Sequence, residues 1–151
     1  MTAASETTVL NADQLREILP QAYPFIMLDR VIHFEKDKSL TAVKNVTATE
    51  WFFRRQKDSD VQTIPPMFLV EAAAQAGLVL LKHGSNAMNG LSVFLSKFSV
   101  SFEQPVTSGV YFFKAVIGKS MTDKGYFDVE ITNNRQFHSQ VNFFYFLKPN
   151  V

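Results

Sequence analysis

One apolar stretch constrains the fold of this chain more than any other part of it. Residues 64–81 read IPPMFLVEAAAQAGLVLL, in which only Glu71 and Gln75 are hydrophilic. Two prolines at its start suit the first turn of a helix, where a missing N–H costs nothing, and Gly84 suits its end. We therefore predict a helix to about His83 that is apolar on nearly every side and buried all round.

The two hydrophilic residues of this helix are candidates for a site. Glu71 and Gln75 lie four residues apart, so that both project from one face of a helix. A carboxylate in apolar surroundings must find a partner, because an unpaired buried charge is costly. Glu71 is therefore either a working acid or base, or a structural carboxylate that is hydrogen-bonded to Gln75 or to a backbone group.

Composition narrows the class of protein. The chain has 151 residues, which is enough for one domain with a core and too few for two ordinary domains. Because 46% of the residues are hydrophobic and 15 are Phe, we predict a packed globular domain. A formal charge of +1 with scattered basic residues argues against a nucleic-acid partner. The absence of cysteine excludes disulfides and thiolate metal sites, and we predict no cofactor.

A membrane-spanning reading of the apolar stretch is disfavoured. The stretch falls short of the roughly 20 apolar residues that cross a bilayer, and it carries Glu71 near its centre. The first 14 residues contain two acids, no base and no apolar run, unlike a signal peptide. We therefore predict no membrane association and a cytoplasmic location.

The rest of the chain indicates a mostly antiparallel sheet. We predict a single domain over residues 1–151 with a flexible leader over residues 1–10, and then a short helix capped by Asn11 or Asp13 and stopped by Pro20. Alternating or strand-forming residues predict strands over 25–35, 39–47, 91–102, 110–119, 126–132 and 137–147. The gaps between consecutive strands after the long helix are too short for parallel crossovers. These elements predict an α+β fold in which a curved antiparallel sheet wraps around one long central helix.

The last predicted strand indicates an oligomer. It contains the run VNFFYFL, which is apolar on both faces and would be prone to aggregation beside an open sheet edge. We expect a second chain that continues the sheet or buries its outer face.

Three ordered blocks of residues carry a resemblance to a known family. They read LPQAYPFIMLDRV over 19–31, AVKNVTATEWFF over 42–53 and PPMFLVEAAAQAG over 65–77. From about residue 15 to 147, the chain resembles the hotdog-fold 3-hydroxyacyl-acyl-carrier-protein dehydratases of fatty-acid synthesis. The resemblance implies the hotdog fold, two protomers that share a continuous sheet, and an acyl chain in a tunnel at their interface.

The resemblance also implies a reaction, the removal of water from a 3-hydroxyacyl thioester. In the family a histidine removes a proton beside the thioester carbonyl, a carboxylic acid on the partner's central helix assists departure of the hydroxyl, and a backbone N–H at the helix start polarises the carbonyl. Glu71 matches the family's carboxylate and Gln75 the glutamine one turn later. The side chains expected to line the tunnel, with plain core packing as the alternative, are Phe52, Phe53, Met67, Phe68 and Phe94.

Two parts of that catalytic machinery are replaced in this chain. The position of the family's histidine falls on Gln56, whose amide is not basic near pH 7. The glycine at the helix start falls on Pro66, which has no N–H to offer. No other histidine is expected to substitute, because His83 lies about 18 Å along the helix from Glu71, and His33 and His138 fall in predicted strands.

Three functions remain open at this point. The first is a dehydratase-like subunit of a fatty-acid or polyketide pathway, which forms a heterodimer with a catalytically complete homologue and acts on an acyl chain linked to acyl carrier protein. The second is a homodimeric acyl-thioester enzyme, either a weak dehydratase or a thioesterase in which Glu71 activates water. The third is a non-enzymatic module that binds acyl chains.

Overall fold

The structure, a computed structural model, describes residues 6–50 and 63–150. In chain order, the main helices and strands of these ranges are α1 (Ala12–Ile18), β1 (Arg30–Glu35), β2 (Ser39–Val46), α2 (Met67–Lys82), β3 (Leu91–Val100), β4 (Gly109–Ser120), β5 (Lys124–Asn133) and β6 (Gln136–Pro149). A short 3-10 helix, Asn86–Met88, lies between α2 and β3. The predicted order of elements is confirmed.

The six strands form one sheet in the order β1-β2-β4-β5-β6-β3, and every pair of neighbours is antiparallel. Helix α2 lies against one face of this sheet and packs mainly against β4, with β2 and β5 next. The sheet curves around the helix. The predicted α+β fold with a curved antiparallel sheet around a central helix is therefore confirmed.

Helix α2 approaches the sheet closely because small residues face it. The Phe127 ring occupies the place where a side chain on Gly77 would begin, so that a Cβ there would lie 2.0 Å from the ring. Phe127 in turn stacks on Phe143, with ring centroids 5.0 Å apart. These rings and Phe113 are fully buried and form the centre of the core.

The prediction that α2 is buried all round is wrong for one stripe of the helix. Met67 is 55% exposed, and Glu71, Ala74 and Leu78 are only partly buried. Their spacing of four, three and four residues places them on one face of the helix. Neither the sheet nor α1 covers this face completely. We call these four residues the open stripe.

The first predicted strand begins later than expected, at Arg30 instead of residue 25. The reason lies in α2, because the side chain of Gln75 accepts a hydrogen bond from Met27 N and donates one to Phe25 O. The backbone groups of this segment are thus satisfied by a side chain, and they need no neighbouring strand.

The expected flexible leader over residues 1–10 is wrong for its last residues. Val9 N donates to Val31 O at 2.7 Å, and Val31 N donates to Leu10 O at 2.9 Å. Leu10 is 3% exposed and belongs to the core. Asn11 then caps α1 as predicted, since its side chain accepts a hydrogen bond from Gln14 N at 3.0 Å.

Candidate functional site

The site is built around the first two turns of α2. Pro66 occupies the N-cap position with φ −57° and ψ −29°. The N–H groups of Phe68 and Leu69 donate to Pro65 O and Pro66 O at 2.9 and 3.0 Å. Because Pro66 has no N–H, this position offers no backbone donor to a substrate carbonyl.

Gln75 is fully buried, and both polar atoms of its side chain form hydrogen bonds. Its Nε2 donates to Glu71 Oε1 at 2.9 Å and to Phe25 O at 2.6 Å, while its Oε1 accepts from Met27 N at 2.8 Å. One amide therefore ties α2 to the segment before β1 and also holds the carboxylate of Glu71. The two hydrophilic residues of the helix are joined, as their spacing predicts.

Gln21 is a member of the site that sequence reasoning did not assign. Its Nε2 lies 3.4 Å from Glu71 Oε1, so that this one carboxylate oxygen accepts from two amides. The other end of Gln21, Oε1, is buried and has no hydrogen-bond partner among residues 6–50 and 63–150. Gln21 lies inside the block 19–31 that carries the family resemblance, which is the signal that could have drawn attention to it.

A cavity of about 140 Å³ adjoins Glu71. Leu78 and Ala74 of the open stripe form one wall, and side chains from the sheet form the other. The full lining is Pro20, Gln21, Glu71, Ala74, Leu78, Val93, Leu95 and Phe127. We call it the Glu71 cavity. Ligand pockets usually measure roughly 300–1,000 Å³, so that the part enclosed by one chain is small for an acyl thioester.

None of the three described residues that were predicted to line a tunnel borders the Glu71 cavity. Phe94 is on the outer face of the sheet, where its ring stacks on Phe146 at 5.3 Å, because the neighbouring residues Val93 and Leu95 take the face toward the helix. Phe68 is 8% exposed and packs into the core. Met67 belongs to the open stripe but does not line the Glu71 cavity. Phe52, Phe53 and Gln56 lie outside the described residues.

The three histidines lie away from Glu71. His33 Nε2 is 3.3 Å from Ser39 Oγ, and the His83 ring meets Phe34 edge-on at 4.6 Å. His138 is buried, and its Nδ1 is 3.1 Å from Ser139 Oγ. None of them lines the Glu71 cavity.

The buried phenol of Tyr111 is structural. Burial raises its pKa, an effect that hydrogen bonding to Thr107 partly opposes. The hydroxyl donates to Thr107 O at 2.8 Å, which fixes the loop before β4. Among residues 6–50 and 63–150 there is no cluster of acidic and histidine side chains suited to a metal ion. In the same part of the chain, no helix has the length and hydropathy needed to cross a membrane.

Comparison with known proteins adds to this geometry. The family model of the FabA-like domain matches residues 19–137. The 3-hydroxyacyl-[acyl-carrier-protein] dehydratase FabZ of Vibrio atlanticus (strain LGP32) is 40% identical over 107 residues, which cover 70% of this chain and 71% of that protein. The FabZ of Oleidesulfovibrio alaskensis is 36% identical over 104 residues, covering 68% and 67%.

Solved structures share the fold at lower identity. The dehydratase heterocomplex ApeI:P from Xenorhabdus doucetiae superposes with a TM-score of 0.69 and 18% identity, covering 90% of this chain and 91% of that chain. The uncharacterized protein PH1136 from Pyrococcus horikoshii gives a TM-score of 0.62 and 15% identity, covering 82% and 85%. These similarities confirm the predicted hotdog fold.

Proposed function

The chain belongs to the FabA-like domain family, and from this premise we propose that it is a dehydratase-like subunit that is incomplete by itself. In this proposal it pairs with a catalytically complete homologue, and the pair removes water from a 3-hydroxyacyl thioester. The observation that carries the proposal is that one catalytic position of the family is retained in this site while another is replaced. Glu71 is kept and held by two amides at the wall of a cavity, while Pro66 stands where a backbone donor is required.

In this proposal Glu71 is the general acid. Its Oε1 is fixed by Gln75 and Gln21, whereas its Oε2 accepts no hydrogen bond from the residues that the structure describes. A protonated carboxyl held in this way can give its proton to the departing 3-hydroxyl as the C3–O bond breaks. The electron pair for the new C2–C3 double bond comes from the C2–H bond, whose proton goes to a base.

That base is not supplied beside Glu71 by the described residues, because no histidine lines the Glu71 cavity. Gln56, the matching position, is an amide and has no useful basicity. We therefore assign the base, and the donor that polarises the thioester carbonyl, to the partner chain. The partner's histidine then acts on C2 while Glu71 acts on the hydroxyl.

The open side of the fold supports pairing. Leu95 and Phe98 of the edge strand β3 are each 43% exposed, and the open stripe lies across the Glu71 cavity from Leu95. A second chain along β3 would cover these side chains and enlarge the cavity. A solved neighbour is described as a dehydratase heterocomplex, which supports a heterodimer.

The names of the relatives supply the substrate class for the proposal. They are dehydratases of 3-hydroxyacyl chains carried by acyl carrier protein, and we assign the same class to this chain within a fatty-acid or polyketide pathway. Lys97 on β3 is one basic residue available to an acidic carrier, and Glu103 nearby opposes such docking. The proposal keeps the cytoplasmic location predicted from the sequence.

Co-expression tests this function. A tagged chain is produced together with the products of neighbouring dehydratase genes, and the purified complex is assayed with a 3-hydroxyacyl N-acetylcysteamine thioester. We expect a one-to-one heterodimer whose dehydration rate falls by about 100-fold to 10,000-fold in Glu71→Gln. Glu103→Gln, an exposed glutamate in a loop, is the matched control and should keep full activity.

Two results would contradict the proposal. Formation of homodimers alone would remove the partner, and unchanged turnover in Glu71→Gln would remove the assigned acid.

A second candidate follows from the free Oε2 of Glu71, which faces no described donor and could activate water against a thioester. In that case the chain is a homodimeric acyl-thioester enzyme, either a thioesterase or a weak dehydratase. The same assay distinguishes these reactions, because hydrolysis releases a free thiol and dehydration does not.

A further inference from the structure

The outer face of the sheet carries a second concave site, on the opposite side from α2. Phe127 points toward the helix, so that its neighbour Tyr126 points away from it, and Phe144 and Phe146 share that outer face. Together with Met121 they border a groove of about 410 Å³. We call it the outer groove. Its volume lies within the roughly 300–1,000 Å³ of small-molecule sites and is larger than that of the Glu71 cavity.

The groove is shaped by glycines. The Tyr126 ring lies over Gly118, so that a Cβ there would be 2.0 Å from the ring, and Gly125 at the rim adds no side chain. Two apolar side chains of the groove are unusually accessible, since Phe144 is 47% exposed and Met121 is 58% exposed. Such an apolar surface on a folded chain is typical of a binding site.

The charged residues that line the groove are all basic. Lys119 and Lys124 line it, and Lys148 Nζ lies 5.6 Å from the centroid of the Phe146 ring. No lining residue is acidic, and none of these three lysines forms an ion pair within the described ranges. The nearest acid on the same face of β5, Asp128, accepts a hydrogen bond from Asn142 Nδ2 at 2.6 Å.

An apolar floor with cations at its rim selects for one kind of ligand. Burial against the aromatic rings favours a hydrocarbon body, and the two lysines of the lining favour a single negative group at one end. A second copy of this chain is a poor occupant, because two such faces would bring lysines against lysines. We propose that the outer groove binds an amphipathic carboxylate, with its carboxylate at Lys119 and Lys124 and its chain on Tyr126, Phe144 and Phe146.

Titration of the full chain with sodium hexanoate, octanoate and decanoate tests this site, with ¹⁵N–¹H spectra and calorimetry as readouts. We expect affinity to rise by roughly fourfold for each added CH₂, with shifts centred on the amides of Gly118 and Gly125. Octylammonium, which has a similar chain and the opposite charge, should bind at least tenfold more weakly than octanoate.

Variants separate this site from the rest of the sheet. Lys119→Ala/Lys124→Ala should weaken decanoate by roughly threefold to tenfold, with an unchanged melting temperature. Lys114→Ala is the matched control, because Lys114 is exposed on the same strand but lies opposite Glu130 in the sheet. It should leave the decanoate affinity unchanged.

Several outcomes would overturn the proposal. They are equal binding of octylammonium, shifts centred on Ala74 and Leu78 of the Glu71 cavity, and equal affinity in the double lysine variant. Self-association that the double lysine variant strengthens, without decanoate binding, would assign the groove to a second copy of the chain. The proposed function is tested separately, by co-expression and by turnover in Glu71→Gln, so that loss of decanoate binding in the double lysine variant leaves it unaffected.

Discussion

The two halves of the sheet have similar apolar patterns and very different burial. In the half formed by β2, β4 and β5, the side chains that face α2, such as Phe113 and Val129, are fully buried. In β3, at the other edge, Leu95 and Phe98 are 43% exposed. The difference arises because α2 lies over the first half and turns its open stripe toward the second. An apolar pattern therefore tells which face of a strand is inward, but not whether the same chain covers it.

The largest expected effect concerns the covered half. In Gly77→Leu the new side chain meets the Phe127 ring, which lies 2.0 Å from the Cβ position. We expect the free energy of unfolding to fall by about 3 kcal/mol or more, because the Phe127 ring is packed between α2 and Phe143 and cannot move aside. Urea unfolding followed by circular dichroism measures this.

Ala74→Leu, on the open stripe of the same helix, is the control for Gly77→Leu. Because Ala74 borders a cavity instead of a ring, its variant should change stability by less than about 1 kcal/mol. Equal losses of unfolding free energy in the two variants would show that the covered face and the open stripe of α2 are equally tightly packed, which would contradict the difference in burial described above.

The next largest effect is expected at one of the two glutamines that contact the Glu71 carboxylate. Gln75→Met leaves Met27 N–H and Phe25 C=O without their partner, and should cost roughly 2–4 kcal/mol of unfolding free energy. Gln21→Met removes an oxygen that is buried without a hydrogen-bond partner among the described residues, and it loses only the 3.4 Å contact to a carboxylate that Gln75 still holds, so that stability should change by less than about 0.5 kcal/mol. Thermal unfolding of both variants provides the measurement, and a larger loss in Gln21→Met would contradict the assigned roles.

A smaller effect on folding is expected at the open edge. Phe98→Ser should lower the stability of the isolated chain by only about 1–2 kcal/mol, because nearly half of this side chain is already exposed. It should nevertheless weaken association with a partner, which sedimentation equilibrium can measure. Phe137→Ser, at a side chain 59% exposed near the start of β6, is the control and should leave association intact.

Much of the fold was predictable because local patterns agree with it. Prolines and a glycine bracket α2, Asn11 caps α1, and the turns between the later strands lie where the sequence predicts them. The site was predictable in part, since the spacing of Glu71 and Gln75 brings them together on one helix face.

Other features depend on contacts that no local pattern reveals. In β3, residues 93, 94 and 95 are all apolar, so that alternation cannot say which of them faces the helix. A bulge between Leu95 and Lys97 then lets Leu95 and Phe98 share one face although they are three residues apart. The misplacement of Phe94 follows from this ambiguity. Sequence patterns do not single out Gln21, because it belongs to no periodic element. Strand-forming residues predict a strand from residue 25, but Gln75, which is distant in sequence, satisfies that backbone instead of a neighbouring strand.

The double role of Gln75 has a consequence for reading related sequences. A single amide binds the backbone before the sheet and also orients the carboxylate. Selection for a foldable chain is therefore sufficient to preserve this glutamine, even in a descendant that has lost all chemistry. The presence of Gln75 is therefore accounted for by the architecture alone, and enzymatic competence has to be judged from other positions.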